Sequence, residues 1–285
     1  MQPLISTQAL ADRLQRGDRP LRLFDTTVHL RAAQPGPYRV DSGRADYEAA
    51  HIPSAAFIDL NEELSDTNSA LRFTMPKPAQ LDAALSAAGL SNGDDCVIYS
   101  STTPMWATRL WWMLRSVGFD AAVLDGGFAK WRAEGRPVAG GSERQAPGRF
   151  AGVADERRWA SKDEVRRAIG NGAVCTLNAL SAAVHAGTAE LHYGRKGHIK
   201  GSVNLPYASL LAADGSFKPA AELRPAFEAV GALGKPRVIC YCGGGISATM
   251  DALALVLLGH PDVGVYDGSM SEWVLDPDLP MELGA

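Results

Sequence analysis

One stretch of this chain combines a nucleophile with a backbone free to fold around it: Cys242-Gly-Gly-Gly-Ile-Ser-Ala-Thr249. The apolar run Val238–Tyr241 precedes it and an apolar helical pattern begins near Ile246, so Cys242 falls at the carboxyl end of a predicted strand. Open α/β sheets place their ligand sites there. Glycine tolerates φ > 0 without steric cost, so Gly243, Gly244 and Gly245 let the chain curl tightly. Successive N–H groups in such a curl converge on one anion, and the following helix adds the positive end of its dipole. A cysteine in that position is expected to favour its thiolate. The loop residues Gly243, Gly244, Gly245, Ile246 and Ser247 are then expected to hold a terminal persulfide sulfur, or an anionic donor, just above the thiol. Taken by itself, the same pattern also describes a glycine-rich turn around a buried, inert cysteine.

The chain contains itself twice. CVIYSSTTPMWATRLWWMLRSVGFDAAVLDGGFAKW, from Cys96 to Trp131, is answered by VICYCGGGISATMDALALVLLGHPDVGVYDGSMSEW, from Val238 to Trp273. An offset of 141 pairs Ser101 with Cys242 and Thr108 with Thr249; one residue later, Asp125-Gly126 pairs with Asp267-Gly268 and Trp131 with Trp273. Upstream, His51-Ile-Pro-Ser-Ala55 echoes His198-Ile-Lys-Gly-Ser202. Two echoes in one order mean a duplicated domain, and only the second copy carries a thiol and glycines in its loop. The stretch after Trp131 is rich in Gly, Pro and charge and lacks apolar periodicity, which marks a linker. The predicted division is 1–138, a linker over 139–155, and 156–285. Short apolar runs (21–24, 96–99, 122–124, 173–177, 237–241, 263–266) alternate with helical patterns (77–90, 104–117, 220–230, 246–258). That alternation predicts two α/β domains, each a parallel sheet with helices on both faces.

Composition sets the outer limits. The 285 residues carry a formal net charge of −4, which argues against a nucleic acid or an anionic membrane as partner. No apolar run approaches the roughly 20 residues that span a bilayer. The polar N-terminus lacks the core of a signal peptide, so a cytoplasmic protein is expected. Four cysteines in so long a chain make no disulfide framework.

Taken together, HIPSA (51–55), MWATRLWWML (105–114), LDGGFAKW (124–131), GHIKGS (197–202), YCGGGISAT (241–249) and YDGSMSEW (266–273) resemble the tandem-domain rhodanese-type sulfurtransferases, whose N-terminal domain is inactive. The resemblance covers nearly the whole chain. It implies that Cys242 takes sulfur from thiosulfate or 3-mercaptopyruvate, becomes a persulfide, and passes the sulfur to cyanide or a thiol, including a thioredoxin-like one. No cofactor or metal is implied. Thiosulfate-preferring members carry basic residues in the loop where this chain has glycines. Mercaptopyruvate-preferring members resemble CGSGVT, against which Gly244 replaces a serine. Their His-Met-Leu-Pro run corresponds to Phe73-Thr-Met-Pro76, and the Asp-Ala-Arg that opens the second domain corresponds to Asn178-Ala-Leu180, without the donor-binding arginine.

A replacement cation is expected among Arg44, Arg72, Arg109, His185 and Arg195. Cys240, Cys96 and Cys175 read as buried core thiols, His51 and His198 as a duplicated structural pair, and Trp131 and Trp273 as core anchors. Ser247 and Thr249 read as helix caps. Trp106, Trp111 and Trp112 are expected in the core and domain interface, with Trp106 able to reach the cleft. Two rivals stand beside the enzyme. One is a Cys-x5-Arg phosphatase, which needs an arginine where this chain has Ala248. The other is a persulfide carrier or redox-sensing module that does not turn over.

Overall fold

The computed structural model describes residues 1–17, 20–31, 33, 38–143 and 145–284. The first unit contains β1 (Leu4–Ile5), α1 (Thr7–Arg16), β2 (Leu21–Asp25), β3 (Val28–Arg31), β4 (Arg39–Ser42), α2 (Arg44–Ala49), β5 (Ala55–Phe57), α3 (Pro78–Ala87), β6 (Asp95–Tyr99), α4 (Met105–Ser116), β7 (Ala122–Leu124) and α5 (Gly127–Ala133). Its sheet runs β1-β7-β6-β2-β5, all parallel, and β3 pairs with β4 as a separate antiparallel ribbon.

The second unit contains β8 (Trp159–Ala160), α6 (Lys162–Ala168), β9 (Val174–Asn178), α7 (Ala182–His185), β10 (His198–Ile199), β11 (Val203–Asn204), α8 (Ala220–Ala229), β12 (Arg237–Tyr241), α9 (Ala248–Leu257), β13 (Val263–Tyr266), α10 (Ser269–Trp273) and β14 (Met281–Glu282). Its parallel sheet runs β11-β9-β12-β13-β8, with β10 and β14 forming a small antiparallel ribbon. Helices cover both sheets. That is why β6 and β12 read as unbroken apolar runs, since a strand buried on both faces has no solvent side to alternate with.

The stretch 139–155 is held along the first unit, apart from Arg144, which lies outside the described residues. Ala139 and His51 exchange backbone hydrogen bonds, Val153 N–H donates to Val117 O, and Phe150 packs edge-on against Phe119. Composition alone read this segment as a spacer, but its backbone is largely committed to the first unit.

An approximate two-fold relation joins the halves. α4 and α9 meet at the middle, where Thr108 Oγ1 and Thr249 Oγ1 lie 2.7 Å apart. On either side the exchange is reciprocal: Asp267 Oδ2 accepts from Met75 N–H and Asp125 Oδ1 from Phe217 N–H, both at 2.7 Å. Each unit therefore extends a segment over the other's loop end.

The same contacts correct the pairing read from sequence. Tyr99 lies beside Asp25 as Tyr241 lies beside Asn178, an offset of 142. Ser100 O accepts from Phe128 N–H just as Cys242 O accepts from Met270 N–H, each at 3.1 Å. Ser100, not Ser101, stands where Cys242 stands. The offset of 141 holds for α4 and α9, where Thr108 meets Thr249, so the first loop is one residue longer.

Candidate active site

Cys242 leaves the end of β12 and sits 2% exposed at the floor of a cavity of about 290 Å3 between the two units. Three loop carbonyls are taken up by groups outside the loop. Cys242 O accepts from Met270 N–H, Gly243 O from Ser271 N–H and Oγ (both 2.8 Å), and Gly245 O from Arg109 Nη1 at 3.1 Å. A planar trans peptide sets its C=O and N–H on opposite sides. The N–H groups of Gly243, Gly244 and Ile246, which share those three planes, are therefore turned toward the concave side of the loop. Among the described residues none of them donates to a protein acceptor. An inward row of free donors beside a thiol is a binding place for an anion or an anionic sulfur.

The glycines have separate reasons. Gly243 lies so close under Tyr193 that a Cβ would run into the phenol. Gly245 has φ +72°, and a Cβ there would lie 2.5 Å from Asp267 O. Gly244 faces open space, with only Ser271 Oγ within 4 Å, so that position would admit a side chain.

Two residues that fix the loop were not singled out, or were assigned differently, from sequence. Ser269 Oγ accepts from Cys242 N–H and Gly245 N–H, each at 3.1 Å, and donates to Tyr266 O at 2.7 Å. It does so from φ +47°, a left-handed conformation costing a non-glycine residue roughly 1–2 kcal/mol. The signal was present as the change from Asp-Gly-Gly127 to Asp-Gly-Ser269 between the two echoes. The second residue is Arg109, expected as a donor-binding cation. It is 1% exposed and reaches from α4 across to Gly245 O, Phe73 O and Asp267, whose Oδ1 lies 2.7 Å from Nη1, with its guanidinium 4.6 Å above the Trp159 ring. Arg109 is thus a clamp between the units, occupied on every side.

The other expected cations sort by geometry. Arg44 pairs with Glu63 at 3.6 Å and covers Phe57. Arg195 is bound to Asp276 O and Leu279 O. His185 stacks on His198 at 3.7 Å, and burial pushes its imidazole down to about 4, so it is neutral near pH 7. Arg72 does line the cavity, with Nη1 donating to Tyr38 O at 3.1 Å. Trp106 forms part of the wall as well, while Trp112 donates to Arg158 O across the domain junction.

Ser247 lines the cavity and makes no side-chain cap to α9, against the expectation. Thr249 donates its hydroxyl to Ile246 O. Tyr38 and Tyr193, whose hydroxyls bond to each other, bring one ring from each unit to the cavity, and burial lifts Tyr38 to about 12 and Tyr193 higher.

The remaining thiols lie away from the cavity lining. Cys240 is fully buried and its thiol is pushed well up by burial; Cys175 is lifted to about 11 by the same cause. His51 Nδ1 bonds Tyr47 O and His198 Nδ1 bonds His185 O, the duplicated structural role expected of them. Trp131 and Trp273 are buried, each donating its indole N–H to a proline carbonyl a few residues on. Among the described residues no helix is long and apolar enough to cross a membrane, and no cluster of His, Cys, Asp and Glu could hold a metal ion.

Two tandem parallel-sheet units, facing each other across a cavity with one cysteine at a glycine loop, define the class of this protein. Residues 6–134 and 181–276 match the rhodanese-like domain, and the chain belongs to that family. It is 32% identical over 278 residues to a thiosulfate sulfurtransferase of Cricetulus griseus, covering 95% of this chain and 91% of that one. It is 33% identical over 288 residues to a probable 3-mercaptopyruvate sulfurtransferase of Pseudomonas aeruginosa, covering 99% and 98%. Among solved structures, SseA of Escherichia coli, described as a 3-mercaptopyruvate sulfotransferase, superposes with a TM-score of 0.81 at 28% identity over 94% of this chain and 99% of that one.

Proposed function

We propose that this chain is a sulfurtransferase in which Cys242 takes the sulfane sulfur of a small anionic donor, thiosulfate or 3-mercaptopyruvate, and passes it on. The Cys242 thiolate attacks the transferable sulfur. With thiosulfate the S–S bond breaks and sulfite leaves with the electron pair; with 3-mercaptopyruvate the C–S bond breaks and the carbon takes a proton to give pyruvate. The Cys242 persulfide then surrenders its outer sulfur to cyanide or a thiol, a thioredoxin-like protein among them, in a ping-pong cycle. Free N–H groups of Gly243, Gly244 and Ile246 stabilise charge on the sulfur in transit, with Ser247 and Gly245 completing the binding loop.

The observation that carries this reading is the placement of Cys242 on the concave side of those unpaired donors. The names of the relatives, thiosulfate and 3-mercaptopyruvate sulfurtransferases, support the same chemistry. We assign catalysis to the second domain, 156–285, and a non-catalytic role to the first, 1–138, with 139–155 as the connection. Four free cysteines fit a reducing compartment, and we place the chain in the cytoplasm.

Thiocyanate release with each donor tests the reading. Cys242→Ser is expected to lose at least about 1,000-fold in rate, the usual scale for removing a covalent nucleophile, while Cys240→Ser keeps most activity. Full activity in Cys242→Ser would refute it. A Cys242 persulfide formed without multiple turnovers would favour the carrier role instead.

A further inference from the structure

We propose that the cavity above Cys242 selects a singly charged organic sulfane donor bearing an apolar or aromatic group, in preference to the thiosulfate dianion. This rests on the sulfurtransferase reading and narrows its substrate.

The walls are aromatic and aliphatic. Tyr38, Phe73 and Trp106 come from the first unit; Leu180, Tyr193 and Ile246 come from the second. Phe73 and Trp106 pack with ring centroids 5.4 Å apart, a ready surface for another flat group. Among the described residues lining the cavity, Arg72 is the one charged side chain. The volume of about 290 Å3 is close to the ~300 Å3 at which sites for small organic ligands begin, far more than the few atoms of thiosulfate fill.

Charge decides between the two donor classes. Thiosulfate brings two negative charges, and a buried charge without a partner is costly. Arg72 offers one positive charge from an exposed position and already spends one N–H on Tyr38 O. Leu180 presents an aliphatic side chain to the cavity, the loop contributes only neutral N–H groups, and Arg109 is consumed by Gly245, Phe73 and Asp267. An organic thiosulfonate exchanges one oxygen for carbon. It keeps the reacting sulfur, halves the charge, and turns a hydrated oxygen into a body that the rings can cover. Tyr38 stays a neutral hydroxyl over the working range, so it adds no repulsion.

The step needs no further reactant. The Cys242 thiolate attacks the outer sulfur of R–SO2–S−, the bond between the two sulfurs breaks, and the sulfinate R–SO2− departs with the electron pair. The product is the Cys242 persulfide, ready for the acceptor.

Three donors sharing one reacting sulfur separate the effects: thiosulfate, methanethiosulfonate and benzenethiosulfonate, with cyanide as acceptor and each rate normalised to the uncatalysed reaction. Benzenethiosulfonate is expected to exceed methanethiosulfonate in kcat/KM by about 30-fold, or roughly 2 kcal/mol at 1.4 kcal/mol per tenfold. Methanethiosulfonate is expected to exceed thiosulfate by about tenfold or more. Arg72→Gln should raise KM for all three, and Leu180→Arg should favour thiosulfate while weakening the phenyl donor. Thiosulfate equal to or better than benzenethiosulfonate in the unaltered protein would overturn the proposal whether or not Leu180→Arg folds. Mass spectrometry keeps the two readings apart. Persulfide on Cys242 with all donors at equal normalised rates sinks only the selectivity; no added sulfur atom on Cys242 from any donor sinks the sulfurtransferase reading beneath it.

Discussion

After β6 the chain turns through 100–104 into α4; after β12 it turns through 242–247 into α9. Both loops hang from a tyrosine-ended parallel strand, both take a hydrogen bond on their first carbonyl from the start of a following helix, and both sit beside an aspartate held by the other unit. Their donors are used differently. In the first loop Ser100 Oγ accepts from Thr102 N–H, Thr27 Oγ1 from Ser101 N–H, and Thr102 Oγ1 is tied to Val28 O. Hydroxyls of the loop itself and of Thr27 beside it take up those donors. The second loop has no hydroxyl until Ser247, so the N–H groups of Gly243, Gly244 and Ile246 stay free for a ligand, and its shape must be imposed from outside by Ser269, Ser271 and Arg109. A loop that keeps its donors for substrate cannot also use them to hold itself together.

Removing the outside support breaks this contrast most severely at Arg109. Arg109→Ala leaves Phe73 O and Gly245 O buried without their donor and the 19% exposed Asp267 without its cation; losing one partner of a fully buried ion pair costs about 3–5 kcal/mol, which is the upper bound here. A fall in denaturation midpoint together with a collapse of kcat is expected, and Arg109→Lys should recover only part of each. A thermally unaltered, fully active Arg109→Ala would mean that the loop is self-supporting.

Ser269 comes next. Ser269→Ala strips a shared acceptor from Cys242 N–H and Gly245 N–H, each unpaired buried donor costing about 1–3 kcal/mol. We expect at least a tenfold loss in kcat/KM. Ser269→Gly recreates what the first unit has at Gly127, where φ is +58°. It should recover stability over the alanine variant, because glycine meets no penalty at φ +47°, without recovering activity. Equal activity in all three proteins would show that Ser269 serves the backbone bend alone.

The smallest effect is on pH dependence. Asp25 Oδ1 accepts from Thr27 N–H as Asn178 Oδ1 accepts from Leu180 N–H, so the two units differ here by an acid against an amide. Burial lifts the Asp25 carboxyl from 3.8 to about 6. Its protonated form is therefore favoured in the folded chain, and the associated stability, complete below about pH 4, is lost as pH rises through about 6. Asp25→Asn should flatten that decline and stabilise the protein at neutral pH by about 1–3 kcal/mol, on the scale of 1.36 kcal/mol per pKa unit. Denaturant titrations at pH 4, 6 and 8 would detect it; an unchanged slope would assign the titration elsewhere.

Much of this was legible in advance because it is local. The strands over 122–124, 237–241 and 263–266 lie where the apolar runs put them, and α4 and α9 start and stop within two residues of their apolar patterns. What was misread depends on contact across distance. Ser101 was paired with Cys242 because a run of glycines offers no residue type to align against Ser-Thr-Thr-Pro; the strand register moves the match to Ser100. Arg109 read as a free cation because nothing in Met105–Leu114 reveals that the other unit's Asp267 lies against it.

The duplicated α/β plan and the position of Cys242 before three glycines are written in the residue pattern, since burial periodicity and glycine's freedom at positive φ act over a few residues. Tertiary structure alone decided which way the loop's peptides face, which arginine is spent and which remains beside the cavity, and that Tyr38 and Tyr193 meet there. Those outcomes follow from groups more than a hundred residues apart competing for the same hydrogen bonds, and only the packed pair of domains brings them within reach of one another.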